Sequence, residues 1–381
     1  MDLALTAEEK AVTQLAERVA RDVLAKHAKA TDRGQFPAGN IAELGATGLL
    51  GVKVPAEFGG LAASNVAYVH AIRAVARVCP STAVTMAVTN MTADMIVLYG
   101  NDEQKRRFLP RLCGGQWLAG AFALSEPSAG SDAASLRTRA VPTEGGYLLS
   151  GEKCWITSGD VAGVLLVMAK THPDRGARGI SAFLVEPGMP GFCVGRHEEK
   201  LGLCGSGTVS LGFADVFVPE ANRLGAEGIG FEVAMTALDG GRCGIGAQAL
   251  GMGEAALALL AQAVEGRKAS DRALGTDQGA QFRLADVATR LEAAWLLVLR
   301  AAALRDAGKA MSKEAAMAKV FATEAGGFAC QQALLLTQDA AVDRHSPAAR
   351  LLRDVRVSRI YEGTSEIQRL VIARHLAASI H

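Results

Sequence analysis

The sequence predicts an α+β multidomain fold: an N-terminal α-helical domain, a middle β-barrel-like domain and a C-terminal four-helix bundle. Two changes in the spacing of apolar residues carry that prediction. Size and composition permit it, because 381 residues, 50% of them hydrophobic, are enough for roughly two to three domains with sizeable cores. The boundaries fall at residues 1–117, 118–228 and 229–381.

From the start to about residue 116 the apolar positions follow a helical period. Thr6 with Glu9 makes a capping box, and Val12, Leu15, Val19 and Val23 then line one face. Asn101 with Gln104 predicts another capped start, with Pro110 ending that helix. Gly and Pro punctuate residues 36–60, which predicts loops between helices.

From about Trp117 to Pro219 the period shortens. Apolar runs at 163–169, 181–185 and 209–218 are separated by Gly, Pro, Asp and Ser. Tyr147 to Thr157 predicts a strand, a turn at 150–153 and a second strand. An all-β domain is the simplest arrangement of such short runs. Beyond about Gly230 the helices lengthen. Leu284, Val287, Leu291, Ala294 and Val298 form an apolar stripe, with Arg283, Asp286, Arg290 and Glu292 outside it. Four such segments, at about 230–266, 280–308, 312–337 and 347–377, predict the bundle.

Charge narrows the function. With 40 Lys+Arg against 39 Asp+Glu, the chain lacks the excess positive charge of a phosphate-neutralising nucleic-acid binder. It also lacks a polybasic membrane signal. The run at 161–169, between Asp160 and Lys170, is too short to span a bilayer. The first residues have neither the basic start nor the apolar core of a secretory signal, so a soluble, cytoplasmic protein is expected. The seven cysteines are scattered, with no CxxC spacing, and the histidines form no HExxH; no metal site is expected.

Three places can carry chemistry. The first is Phe122-Ala-Leu-Ser-Glu-Pro-Ser-Ala-Gly-Ser-Asp132, whose small and hydroxyl residues let backbone N–H groups approach an anionic or polar ring. On composition alone it is an ordinary strand end and turn. The second is Trp155-Ile-Thr157: Trp offers a flat stacking surface, and Thr two residues on shares its side of a strand. A lone Trp in a β-domain is more often core. The third is Arg359-Ile-Tyr-Glu-Gly-Thr-Ser-Glu-Ile-Gln368. Ser365 with Gln368 predicts a capping box opening the last helix, which leaves Glu362 and Gly363 in the loop before it. A partly buried loop carboxylate can be tuned into a general base, whereas an arbitrary loop glutamate is solvated. Glycine pairs near 225–230 and 244–246 lack the strand and helix context of a dinucleotide loop.

Together these segments resemble the acyl-CoA dehydrogenase family over essentially the whole chain. The motifs are Ala123-Leu-Ser-Glu-Pro-Ser-Ala-Gly-Ser-Asp132, Gly151-Glu-Lys-Cys-Trp-Ile-Thr-Ser-Gly159, Lys200-Leu-Gly with Gly205-Ser206, Asp239-Gly-Gly-Arg242 with Gln248, and Ile360-Tyr-Glu-Gly-Thr-Ser-Glu-Ile-Gln368. The segment 239–251 looks most like the short-chain and bacterial general members.

The resemblance implies FAD as cofactor and an acyl-CoA thioester as substrate. Glu362 matches the family base, which takes the α-proton while the β-hydrogen leaves as hydride to flavin N5, giving a trans-2-enoyl thioester. Hydrogen bonds to the thioester oxygen, in the family from the base's own N–H and a flavin ribityl hydroxyl, stabilise the developing enolate. An apolar pocket is expected to raise the pKa of Glu362. Arg242 matches a catalytic, substrate-side arginine. The flavin contacts implied are Phe122, Leu124, Ser125, Ser131, Trp155, Thr157, Arg267, Gln278, Thr364 and Glu366; those to substrate are Ser131, Asp239, Arg242 and Gly363. Some branches carry their base immediately before the arginine; here that position is Gly241.

Two segments depart from the family pattern. Arg267-Lys-Ala-Ser-Asp271 keeps Arg267 but lacks the usual Phe and Gly, and 335–342 lacks the glycines of the loop that approaches the ADP half of FAD. That half is therefore expected to be held differently or more weakly. The resemblance also implies electron-transfer flavoprotein as acceptor and a homotetramer built as a dimer of dimers. The alternatives are a dehydrogenase of carrier-protein-bound acyl groups, a flavin monooxygenase and a non-catalytic partner subunit in a mixed oligomer.

Overall fold

The structure is a computed structural model describing residues 4–266, 268–269, 272–337 and 342–378. Helices come first: α1 (Ala7–Asp22), α2 (Ala28–Asp32), α3 (Ala38–Ala46), α4 (Asn65–Val78), α5 (Pro80–Tyr99) and α6 (Asp102–Cys113). The capping boxes of Thr6 with Glu9 and of Asn101 with Gln104 both form. Two local expectations fail. Pro110 sits inside α6, which continues to Cys113. Proline removes one backbone hydrogen bond, but Phe108, Leu109, Leu112 and Cys113 are buried and packing carries the helix on. Within 36–60 the chain also builds α3, where Ile41 and Leu44, three residues apart, are fully buried.

The strands are β1 (Ala119–Ala123), β2 (Arg139–Thr143), β3 (Gly146–Thr157), β4 (Ala162–Lys170), β5 (Ile180–Val185), β6 (Phe192–His197), β7 (Thr208–Pro219) and β8 (Arg223–Leu224). They form one sheet in the order β6-β7-β3-β2-β4-β5-β8, with β1 parallel to β4. The expected turn at 150–153 is absent. β3 is one twelve-residue strand that pairs with β7 along its length and shifts register between Leu149 and Gly151 and between Lys153 and Ile156. Bulges bend a strand and break its side-chain alternation without reversing it, a distinction that local turn-forming residues do not make.

The C-terminal helices are α7 (Gly230–Gly266), α8 (Gln278–Asp306), α9 (Ser312–Leu336), α10 (Pro347–Arg356) and α11 (Ser365–Ala378). The fourth expected segment is thus two helices, split by the loop that carries Glu362. An 18-residue window of α7 has a mean hydropathy of 1.4, apolar enough to cross a membrane, but 72% of it is buried within the protein. Leu250 and Met252 of α7 share a core with Ile72 of α4, Val298 of α8 and Ala322 of α9. Strand β4 is covered on both faces, which explains its continuous apolar run. Val164, Leu166 and Met168 pack with Phe108 of α6 and Val233 of α7, while Leu165 and Val167 pack with Phe183 and Val216 of the sheet.

Candidate active site

The loop between α10 and α11 holds Glu362 and Gly363 in left-handed conformations, with φ of 52° and 90°. For a non-glycine residue this costs about 1–2 kcal/mol, so the surroundings must impose it. They hold two successive carbonyls. Gln368 Nε2 donates to the oxygens of Glu362 and Gly363 at 3.2 and 2.9 Å, and Lys319 Nζ donates to the Gly363 oxygen at 2.7 Å. A Cβ at Gly363 would stand 2.6 Å from that Gln368 nitrogen, so glycine is required for the approach. Gln368 is therefore spent on the loop, not on a capping box. Thr364 caps α11 instead, its Oγ1 accepting from Ile367 N–H at 3.3 Å, and Ser365 Oγ is buried with no partner among the described residues.

The Glu362 carboxylate turns inward. Its Oε2 is buried and accepts no hydrogen bond among the described residues, and burial pushes its pKa up to about 7 against the opposing pull of Lys319 and Arg242. Its backbone N–H makes no hydrogen bond among the described residues. Gly241 of α7 is what leaves room for it: a Cβ there would overlap Oε2 and come within 2.7 Å of Cδ. Next to Gly241 in the chain, Arg242 is 5% exposed and donates through Nη1 to Asp239 Oδ1 at 2.6 Å, while its Nε is buried with no partner among the described residues. Asp239 Oδ2 also accepts from Ser312 Oγ. Beside the carboxylate, Tyr361 OH donates to Gln248 Oε1, and Gln248 Nε2 donates to the Pro80 carbonyl at 3.0 Å. This polar bar crosses from the loop to the start of α5.

A second group forms on the sheet. Lys153 is fully buried, and its Nζ donates to the Leu124 carbonyl at 3.1 Å and to Glu126 Oε1 at 2.8 Å. Glu126, 5% exposed, also accepts from Thr138 N–H, Thr138 Oγ1 and Arg137 N–H. Cys154 N–H donates to the Ser125 oxygen at 3.0 Å. Strand β3 is thereby stapled to segment 124–126, which follows β1. Burial pulls the Lys153 pKa down to about 8, opposed by the charge of Glu126. Burial alone would raise the Glu126 pKa, but Lys153 and the hydrogen bonds from Thr138 and Arg137 leave it below the usual carboxylate value.

Trp155 follows that staple. It has φ of 59° and remains 61% exposed. A large ring presented outward from a strained backbone is suited to be covered by a planar group, and the neighbouring Ser158 Oγ is buried with no partner among the described residues. These features fit the isoalloxazine of FAD. The sheet group comprises Phe122, half-buried in β1, buried Leu124, half-buried Ser125 and Thr157, and exposed Ser131; the bundle group comprises Asp239, Arg242, Glu362, Gly363, Thr364 and exposed Glu366. Gln278 opens α8 and is exposed. Arg267, Ser270, Asp271 and 338–341 lie outside the described residues.

Sequence reasoning assigned no role to Lys319, Glu126 or Lys153. A lysine amid Ala315, Ala316, Ala318 and Ala322, all fully buried, breaks an apolar face and was the available signal for the first. Glu126 lies in segment 123–132 and Lys153 in segment 151–159, but only tertiary contact reveals that they pair.

Similarity to known proteins agrees with this arrangement. The acyl-CoA dehydrogenase N-terminal, middle and C-terminal domain descriptions match residues 6–116, 121–216 and 228–377. An acyl-CoA dehydrogenase of Bacillus subtilis is 44% identical over 374 residues, covering 98% of each chain. Butyryl-CoA dehydrogenase from Megasphaera elsdenii has the same fold with a TM-score of 0.96 at 36% identity, over 99% of this chain and 100% of that one. A structure solved in work on the electron transferring flavoprotein of Acidaminococcus fermentans and flavin-based electron bifurcation gives a TM-score of 0.96 at 38% identity, over 99% of each chain. Matching in all three regions, the chain belongs to the acyl-CoA dehydrogenase family.

Proposed function

We propose that this protein is an FAD-dependent dehydrogenase converting a short acyl-CoA to its trans-2-enoyl-CoA, with Glu362 as the base. The observation that carries the assignment is the buried, unpartnered Oε2 of Glu362 with a pKa raised to about 7. A carboxylate left without a hydrogen-bond donor keeps its basicity for an incoming proton, and one whose pKa lies near working pH is matched to that transfer. Phe122, Leu124, Ser125, Ser131, Trp155 and Thr157 would hold FAD, which when bound would supply the acceptor for the β-hydrogen as hydride.

The chain's own part is positional and acid–base. Glu362 takes the α-proton onto its carboxylate. Its N–H, unbonded among the described residues, would donate to the thioester oxygen, where charge develops as the proton leaves. Arg242, fixed by Asp239, and Gly363 line the substrate side. The bar of Tyr361, Gln248 and the Pro80 carbonyl supports a short acyl chain, since extending past it would strand buried polar groups. The butyryl substrate named for the Megasphaera elsdenii protein supports the same assignment. Electron-transfer flavoprotein is the proposed acceptor, and a cytoplasmic homotetramer the proposed state.

The test is anaerobic bleaching of the flavin by a panel of acyl-CoAs. Butyryl-CoA is expected to bleach it fully and a long-chain acyl-CoA slowly or not at all; bleaching by neither overturns the assignment. The same reaction fixes the pH dependence. Glu362 acts only when ionised, and its raised pKa keeps it protonated below about 7. The bleaching rate should therefore rise about tenfold per pH unit on the acid side and level off above about 7. A rate flat down to about pH 5 would mean that the base is a carboxylate with an ordinary pKa.

Gly241→Ala gives an independent check on placement. The added methyl meets the movable end of a side chain, so the fold survives and the carboxylate is pushed aside. A displacement of about 1 Å costs on the order of 10²-fold in rate. Rapid-mixing kinetics should show that loss with flavin content and circular dichroism unchanged; wild-type rates would place the base elsewhere.

A further inference from the structure

The α9 helix sends one charged side chain into the core beside the catalytic loop. Lys319 is fully buried, flanked on its own helix by Ala315, Ala316, Ala318 and Ala322, also fully buried. Among the described residues its ammonium makes one hydrogen bond, to the carbonyl of Gly363, the residue after the base. A buried lysine with a single partner is expensive to maintain, and a neutral side chain of similar length would fill the same space. Its charge therefore calls for a reason other than packing.

We infer that Lys319 is the positioning residue of this dehydrogenase, fixing the Glu362 loop through the Gly363 carbonyl and setting the proton affinity of the base with its charge. The inference rests on Glu362 being the base. The tether acts on geometry: with Gln368 it holds the carbonyls of two consecutive left-handed residues, and so fixes the direction in which the glutamate leaves the backbone. The charge acts on chemistry. Burial raises the proton affinity of Glu362, and the nearby ammonium opposes that rise. Without Lys319 the carboxyl would remain protonated further into the neutral range and be unable to accept the α-proton there.

The other charged and titratable groups facing this pair are Arg242 of α7, which also favours the ionised base, Glu366 of α11, which favours the charged lysine, and Tyr68 of α4 and Tyr361, whose phenols are held neutral by burial. Of the two cations acting on Glu362, Lys319 is also tied to its loop, whereas Arg242 is committed to Asp239.

The test compares Lys319→Met, Lys319→Gln and Lys319→Arg with the wild-type holoenzyme, following the rate of anaerobic flavin bleaching by butyryl-CoA against pH. K319M should move the acid limb upward by roughly one pH unit, the lower end of what a lost neighbouring charge produces. K319Q keeps a donor for Gly363 without the charge, and should shift the limb as far while recovering part of the plateau rate. K319R, which retains the charge, should leave the limb near its wild-type position. A merely structural lysine would lower flavin content or plateau rate in all three without moving the limb. An unmoved limb in K319M and K319Q, or an equal shift in K319R, overturns the inference; if K319M does not fold, K319Q decides it. Glu362→Gln separates this from the underlying assignment. If it bleaches normally, Glu362 is not the base; if it is inactive while K319Q keeps its limb, only the role of Lys319 fails.

Discussion

Glu362→Gln is expected to lower the rate of flavin bleaching by about 10²–10⁴-fold while leaving FAD and acyl-CoA bound. Glutamine matches glutamate in size, so Gly241 still accommodates it and the held carbonyls of residues 362 and 363 still impose the left-handed loop. What disappears is the capacity to accept a proton, and proton transfer by a positioned group is worth about that factor. The fold itself should tolerate the change: below pH 7 the wild-type carboxyl is already largely neutral, so the buried amide replaces a buried acid. Two measurements separate this loss from a binding defect. The flavin-to-protein ratio should match wild type, and a non-reducing substrate analogue should still perturb the flavin spectrum. Retained bleaching would remove Glu362 from the mechanism and move the search to Asp239, the other carboxylate the structure places beside Arg242.

Much of this was legible from residue order. The loop position of Glu362 followed from helix-start chemistry just beyond it, although the cap is Thr364 and not Ser365. A capping motif places a boundary within a residue or two, and the competition for Gln368 between the helix N-terminus and the loop carbonyls is settled by tertiary structure. The three-zone layout was visible because long helices and short buried strands differ in period. The single long β3 was not, because a bulge and a turn draw on the same residue types, and only pairing with β7 along its whole length tells them apart. This also matters for Trp155. Its exposure comes from a bulge that breaks strict alternation, so the simple two-residue argument for Trp155 and Thr157 sharing a side does not describe how the ring is presented. Lys319 and Gly241 mark the deepest limit. One is a charge in an alanine-rich face and the other a missing side chain, and neither gains meaning until Glu362 is folded against both.

Lys153→Met should be the most damaging single change in the middle domain. It leaves Glu126 nine-tenths buried and negatively charged without its cation. Breaking a buried ion pair by removing one partner costs about 3–5 kcal/mol, reduced here to the extent that Thr138 and Arg137 still donate to the carboxylate. The Leu124 carbonyl also loses its donor, so the change reaches the segment proposed to hold the flavin. The variant is expected to melt several degrees lower and to lose FAD on desalting. The double variant Glu126→Gln with Lys153→Met discriminates the cause. With no unpaired charge left inside, it should recover much of the melting temperature, but not the flavin retention, because the Leu124 tether is still missing. If the double variant regains both, the pair acts only through its charge; if the single variant melts and binds FAD like wild type, the staple between β3 and segment 124–126 does not hold the flavin site.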